Sequence, residues 1–172
     1  PNARVAVYSG GGSAEVQPSY TTTVYDAAKG ICENLSYAQG AMTCKALPLL
    51  KGSLRTADGT PGFLLKFYKD PPSVTTRLPV DELRLQDSLI SLMDYAHPAI
   101  EGPVYYAQLE GVFDVEEDGE YMFGLSVYGT AKLFADGDLL IDNATRQTRG
   151  QSFFGAGTRE EIGLLTLKAD QK

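Results

Sequence analysis

Few residues in this sequence carry side chains that could do chemistry, and their spacing limits what that chemistry is. The carboxylates come in short runs, Asp81-Glu82, Glu116-Glu117-Asp118 and Glu160-Glu161. Glycoside hydrolysis needs two carboxylates placed across a sugar ring. Each of these runs instead flanks a turn or a strand end, where a solvated face explains it. His97 is the only histidine and precedes Pro98. No nucleophilic triad and no histidine-based metal site can be assembled around it, so it reads as a loop residue. Asp136, Asp138 and Asp142 place oxygen ligands for a hard cation within one hairpin. The stretch lacks the spaced, Glu-terminated loop of an EF-hand, so a polar hairpin is the expectation. Cys32 and Cys44 are too few to make a metal site by themselves and read as buried thiols, with a bridge as the alternative. The residues ask for no cofactor and no metal, and none of them is assigned as catalytic.

Two glycine-bearing segments are better placed to meet a ligand. Ser9-Gly10-Gly11-Gly12-Ser13 follows a short apolar run, and glycines there let the backbone approach a ligand closely. It is neither a phosphate loop, since no Gly-Lys-Ser/Thr follows, nor a dinucleotide fingerprint, since the spacing of the glycines fails. A flexible turn and a ligand-facing loop at Gly11, Gly12 and Ser13 stand as equal readings. The second segment, Arg149 to Gly157, sets Gln151, Ser152, Phe153 and Phe154 between glycines. Aromatic faces stack on sugar rings, and glycines let a loop protrude. A pair of core aromatics at a strand edge is the equal alternative.

The elements that must position these residues change character near residue 50. Arg4 to Tyr8 is a β-branched run. Val24, Ala28, Ile31 and Leu35 recur at helical spacing, with Thr22 or Thr23 to cap the helix, Asp26 suited to its positive end, and Gly40 to stop it. Ala41 to Leu47 reads as a strand, which completes one βαβ unit. One such unit cannot cover both faces of a parallel sheet. Residues 1–50 are therefore expected to be a partial α/β domain whose other strands lie elsewhere. Lys51 to Gly62 reads as a polar linker. From Phe63 onward the texture is all-β. Phe63, Leu65 and Phe67 alternate with Leu64, Lys66 and Tyr68; Tyr105 to Val115 and Tyr121 to Val127 each present one apolar face; Ile162 to Leu167 is a further strand. Asp118-Gly119 and Asp136-Gly137 are two hairpin signals. The fold class expected is mainly β: an antiparallel sandwich over 51–172, preceded by the partial βαβ unit of 1–50.

Composition excludes several classes of function. The chain has 172 residues, 22 of them acidic and 15 basic, a net charge of −7. Without a basic cluster it is no binder of phosphate backbones, so nucleic acid is not an expected partner. No apolar run approaches the roughly 20 residues that span a bilayer, and no membrane partner is expected. Pro1-Asn2-Ala3 carries no signal-peptide pattern and no initiator methionine, which reads as a processed or trimmed chain. Asn34-Leu35-Ser36 and Asn143-Ala144-Thr145 fit the N-glycosylation triplet and lean the localisation, otherwise unknown, toward secretion.

Pro1-Asn2-Ala3 and the stretch Val5 to Ala14, with its Gly-Gly-Gly-Ser loop and a Tyr20-Thr21-Thr22-Thr23 helix entry, resemble fungal β-glucosidases of glycoside hydrolase family three, at the opening of their α/β sandwich domain. The second half is similar to the protective-antigen-type (PA-fourteen) module that some of these enzymes carry as an insert. The matching residues are Gly119 to Gly129, Leu133 to Asn143, Arg149-Gly150, Phe154 to Gly157 and Leu165-Thr166-Leu167. The resemblance covers nearly the whole chain and is weakest at 40–60 and 70–100. It implies a retaining, exo-acting hydrolase that removes terminal β-linked glucose. Its aspartate nucleophile would precede Pro1 and its glutamate acid/base would follow the insert, so no catalytic residue carries over. By position, Gln151 to Phe154 resembles the insert loop that reaches over the active-site mouth, with Phe153 and Phe154 as its aromatics. Lectins of the module hold calcium with an Asp-Asp pair where this chain has Val127 and Tyr128, a departure that argues against calcium-dependent sugar binding. The module normally continues past its Leu-Thr-Leu strand, so its last strand is expected to be lacking here.

The expected partners are therefore the remainder of a parent hydrolase, covalent or as a separate chain, and an oligosaccharide substrate. A homo-oligomer is a further expectation. The leading functional reading is a segment that shapes the aglycone side of a β-glucosidase site. The alternatives are a structural or dimer-contact module and an autonomous carbohydrate-binding module.

Overall fold

The computed structural model describes residues 3–6, 8, 18–38, 40–41, 46–50, 52, 54–92, 95–151 and 157–169. The chain divides into two compact units, 1–45 and 46–172. Among the described residues it is mainly β, with antiparallel pairing throughout and one short helix.

In the first unit, α1 (Val24–Lys29) starts where the sequence places it. The Thr23 hydroxyl accepts from the Asp26 amide at 3.0 Å, and the Asp26 carboxylate accepts from the Thr23 amide and hydroxyl, a reciprocal capping box. Those bonds hold the Asp26 carboxyl below its ordinary range. The expected run to Leu35 and stop at Gly40 are corrected: the helix ends at Lys29, before Gly30. Gly30 is a poor helix former, and Asn34 and Ser36 beyond it favour turns. The helix buries none of its residues. The Arg4 guanidinium lies over the rings of Tyr25 and Tyr37, at 4.4 and 4.0 Å, which ties the chain start to the helix. Of the run expected as the first strand, residues 4–6 and 8 are described and lie outside any strand; the expected strand 41–47 falls mostly outside the described residues. Cys32 is exposed, contrary to the expected buried thiol: it lies just past a helix that buries none of its residues, and no apolar side chain of this unit is buried among the described residues.

The second unit is built on β2 (Phe63–Tyr68), flanked by β3 (Asp81–Leu85) and β4 (Tyr106–Glu110). Leu65 pairs with Leu83 on one side and Leu109 on the other. Alternation turns Phe63, Leu65 and Phe67 inward, and Phe67 is fully buried. Tyr95 stacks on Phe67 with centroids 3.9 Å apart and planes 13° from parallel, and anchors the long connection between β3 and β4 over the core. Its hydroxyl donates to Asp81, and burial together with that carboxylate pushes its pKa up to about 12.

Three expectations for this unit are corrected. The linker at 51–62 contains β1 (Leu54–Arg55), which pairs with β5 (Val112–Phe113). Leu54 joins the core, and Arg55 makes a bidentate pair with Asp114. The segment around Tyr105 to Val115 is two strands, β4 and β5, that bend apart at Gly111. A Cβ there would sit 3.1 Å from the Phe63 ring and 3.2 Å from Leu54, tighter than packing readily accepts. Asp118-Gly119 closes no hairpin: β6 (Gly119–Leu125) pairs with β9 (Glu161–Leu167), not with β5. Non-local pairing overrides the local turn signal, because β6 can then bury Tyr121 and Phe123 against Phe113, whose ring meets theirs edge-on at 5.5 and 5.7 Å.

Asp136-Gly137 does form its hairpin. It joins β7 (Ala131–Ala135) to β8 (Asp138–Asn143), with φ of 50° and 91° at its two residues, as a type I′ turn requires. A bulge at Leu140 follows, where the register shifts between Leu133 and Phe134. Gly163 on β9 lets the backbone come close to Leu140 and Ile141, so the two hairpin-like pairs pack closely.

Candidate functional site

The second glycine-bearing segment projects from a stem that the structure fixes in detail. Arg149 and Thr158 form an antiparallel bridge; the Gly150 amide donates to the Gly157 carbonyl at 3.0 Å, and the Arg159 amide to the Thr148 carbonyl at 2.7 Å. Glycine is required at both stem positions. A Cβ on Gly150 would lie 2.8 Å from the Thr158 carbonyl oxygen, and Gly157 has a φ of 79°.

The stem is held from below by the end of β6 and by β8. The Thr158 amide donates to the Val127 carbonyl at 2.9 Å, and the Val127 amide donates back to the Thr158 hydroxyl at 3.1 Å. Asn143, at the end of β8, is fully buried. Its amide nitrogen lies 2.8 Å from the Leu125 carbonyl, 2.8 Å from the Thr158 hydroxyl and 3.2 Å from the Arg159 carbonyl. One side chain thus joins β6, β8 and the stem. Its Oδ1 is buried and has no partner among the described residues. Gln147 spans from the Gly129 carbonyl to the Asn143 carbonyl, both at 2.7 Å.

Beside the stem lies an open cleft of about 330 Å³, lined by Val127 to Gly129, Gln147 to Arg149, Gly157 and Thr158. Tyr128 stands at its edge and is 85 % exposed. Of the candidate residues, Gln151 is described and exposed at the start of the loop. Ser152, Phe153 and Phe154 lie outside the described residues, as do Gly11, Gly12 and Ser13. The structure therefore fixes where the loop 151–156 leaves and returns. Asn143, Thr158 and Tyr128 were missed from sequence as site residues. Asn143 had a signal: it shares its strand face with Ile141, the inward face of β8.

Asp142 and one carboxylate of each short acidic run are engaged in holding the fold. Asp142 accepts from the amides of Ala144 and Thr145, the Thr145 hydroxyl and Lys132, and those contacts hold its carboxyl well below the usual range. Glu160 accepts from the Leu47 amide, Asp118 from the Ala169 amide, and Asp81 from Tyr95. His97 turns its Nδ1 to the Ala99 amide within its own loop. Among the described residues, no three His, Cys, Asp or Glu side chains converge on a point. Neither Val127 nor Tyr128 supplies a carboxylate to the cleft, so its donors do not fit a calcium ion. Among the described residues no helix is long and apolar enough to cross a membrane.

The model of one protein family, described as PA14 domain, matches residues 59–172. The chain belongs to the PA14 domain family. The stem, the cleft and every strand among the described residues except β1 fall within the matched PA14 region. The whole chain is also similar to longer proteins. It is 45 % identical to a probable β-glucosidase I of Aspergillus clavatus, over 99 % of this chain and 20 % of that protein. It is likewise 45 % identical to a probable β-glucosidase J of Emericella nidulans, over 100 % of this chain and 20 % of that protein. A crystal structure of the β-glucosidase from Kluyveromyces marxianus superposes with a TM-score of 0.80 at 31 % identity, covering 99 % of this chain and 22 % of that one. The chain spans about a fifth of the length of the curated relatives it matches.

Proposed function

We propose that this chain is the PA14-bearing, non-catalytic segment of a retaining β-glucosidase. In this reading residues 1–50 belong to an α/β sandwich domain of the parent and residues 51–172 to the insert. The loop Gln151 to Phe154 walls the aglycone side of the active site, with Phe153 or Phe154 limiting the room for longer leaving sugars. The observation that carries the reading is the clamped stem. Two obligatory glycines and the buried Asn143 fix the base of a short loop with two adjacent aromatics, in a chain similar along its whole length to β-glucosidases. A rigid base is what a specificity loop needs, since a positioning error of about 1 Å can change rates a hundredfold. The substrate is a β-glucoside, and the partner is the remainder of the hydrolase.

The test uses the parent enzyme. Phe153→Ala and Phe154→Ala should change the relative kcat/KM for glucose oligomers of increasing length by about fivefold, because one stacked aromatic is worth roughly 1 kcal/mol, while a small aryl glucoside that does not reach the loop stays within about twofold. An equal fall on all substrates would make the pair structural and end the proposal.

A second reading, a contact module, is favoured by one observation. Met122, Ile162 and Leu164 on the outward face of the β6–β9 pair are each about half exposed, with Met122 directly opposite Leu164. A concentration series in the analytical ultracentrifuge decides it: a strict monomer rules out the self-association form.

A further inference from the structure

The two N-glycosylation triplets have opposite environments. N-linked glycosylation joins the Asn Nδ2 to C1 of an oligosaccharide carried on a lipid pyrophosphate. The sugar–phosphate bond breaks, the lipid pyrophosphate leaves, and Nδ2 gives up one proton to a base of the transferase. The modified nitrogen keeps a single hydrogen and carries a bulky, hydrated ring, which belongs at a surface.

Asn143 cannot hold such a group in the folded chain. Its side chain is wholly buried, and its Nδ2 faces three acceptors, the Leu125 carbonyl, the Thr158 hydroxyl and the Arg159 carbonyl. Replacing one hydrogen by a sugar removes at least one of those bonds and forces a polar ring between β6, β8 and the loop stem. The rest of the triplet is committed as well: the Thr145 hydroxyl and amide and the Ala144 amide all bind Asp142. Asn34, by contrast, is exposed on a bend beyond α1, next to the exposed Glu33. Among the described residues, a ring attached there meets no enclosed group.

We infer that Asn34 is the N-glycan acceptor of this chain, and that a glycan on Asn143 and the folded PA14 module exclude one another. The two triplets are equivalent as sequence; burial alone separates them. In a glycosylating compartment, folding must outrun modification at Asn143, or the modified chain is lost from the folded pool.

The experiment expresses the full chain behind a secretion signal in a glycosylating yeast. The soluble, protease-resistant pool is treated with a peptide N-glycosidase in heavy-oxygen water, and label at each asparagine is read by mass spectrometry. Label is expected at Asn34, with Asn143 at least about tenfold lower, the factor that losing roughly one net hydrogen bond already sets. Asn34→Gln should remove the glycan from the folded pool. Thr145→Ala, which keeps Asn143 and removes its triplet together with one hydrogen bond to Asp142, should leave the folded pool labelled at Asn34 as before. Folded chain labelled at Asn143 to a comparable extent would overturn the inference, as would folded chain unlabelled at Asn34.

Discussion

The two compact units bury very different things. The second, 46–172, gathers Leu54, Phe63, Leu65, Phe67, Val115, Ile141 and Leu167 into an interior. The helix of the first unit, 1–45, buries no residue, and the apolar side chains at its start and just past its end, Val24 and Ile31, are 72 % and 85 % exposed. The helix is held by its capping box and by the contacts of Arg4 with Tyr25 and Tyr37. A six-residue helix is marginal by propensity alone, and most helical stability in proteins comes from a packed face. The difference teaches that the apolar pattern of the second unit is answered within the chain. The stripe of the first has no cover among the described residues, which fits the proposal that the rest of a parent enzyme covers it.

The comparison can be broken or sharpened by substitution, and the largest effect belongs to the second unit. Phe67→Ala should destabilise the chain by about 3–5 kcal/mol in urea unfolding, since it empties a fully enclosed site under the Tyr95 ring. A cost below about 1 kcal/mol would mean that this unit has no cooperative core.

A smaller contrast lies inside the second unit. Gly137→Ala should cost about 1 kcal/mol or more, because φ is 91° in a turn that sets the β7–β8 register. Gly119→Ala should stay within about 0.5 kcal/mol, because its φ is not positive and an added Cβ meets nothing within 4 Å. Equal effects would contradict the finding that, of these two Asp-Gly pairs, Asp136-Gly137 is the one that closes a hairpin.

Tyr95 adds a pH dependence confined to the second unit. Its pKa is about 12 when folded, above the ordinary value of 10, because burial and Asp81 disfavour the phenolate. A raised pKa contributes its stability in full below the unfolded value. The urea midpoint should therefore be insensitive to this group below pH 10 and fall as pH rises from about 10 to about 12. Tyr95→Phe should flatten that alkaline limb; an unchanged limb would assign it to other groups.

The smallest effect is expected in the first unit. Ile31→Ala in this chain should change stability by less than about 0.5 kcal/mol, because the side chain is already in water. The same substitution in the parent enzyme should cost several times more if the stripe is covered there. A large effect in the chain alone would erase the distinction between the units.

Much of the second unit was legible in the sequence. The alternation of Phe63 to Tyr68, the strands around Tyr121 to Leu125 and Ile162 to Leu167, and the Asp136-Gly137 turn all appear as read. These signals are local: a strand with one face inward must alternate, and a type I′ turn needs two residues that accept positive φ. The partnering of strands was not legible. Nothing near Asp118 says that β6 will leave β5 and pair with β9, some forty residues on, or that Leu54 in a polar stretch will enter the core. The glycines around the candidate loop were readable as a sign of close backbone approach, whereas the support from Asn143 and Thr158 was not.

The sequence by itself determined the mainly β texture, the acidic charge, the absence of an assignable catalytic constellation, and the motifs by which the chain resembles the PA14 module. The tertiary structure decided which strands pair, where the chain bends, and which of two chemically identical Asn-X-Ser/Thr triplets is closed. The reason is that residue type and spacing fix what a side chain can do, while burial and non-local hydrogen bonds fix whether it is free to do it. Asn34 and Asn143 have the same chemistry, and only one of them has its nitrogen enclosed by three acceptors drawn from two distant stretches of the chain.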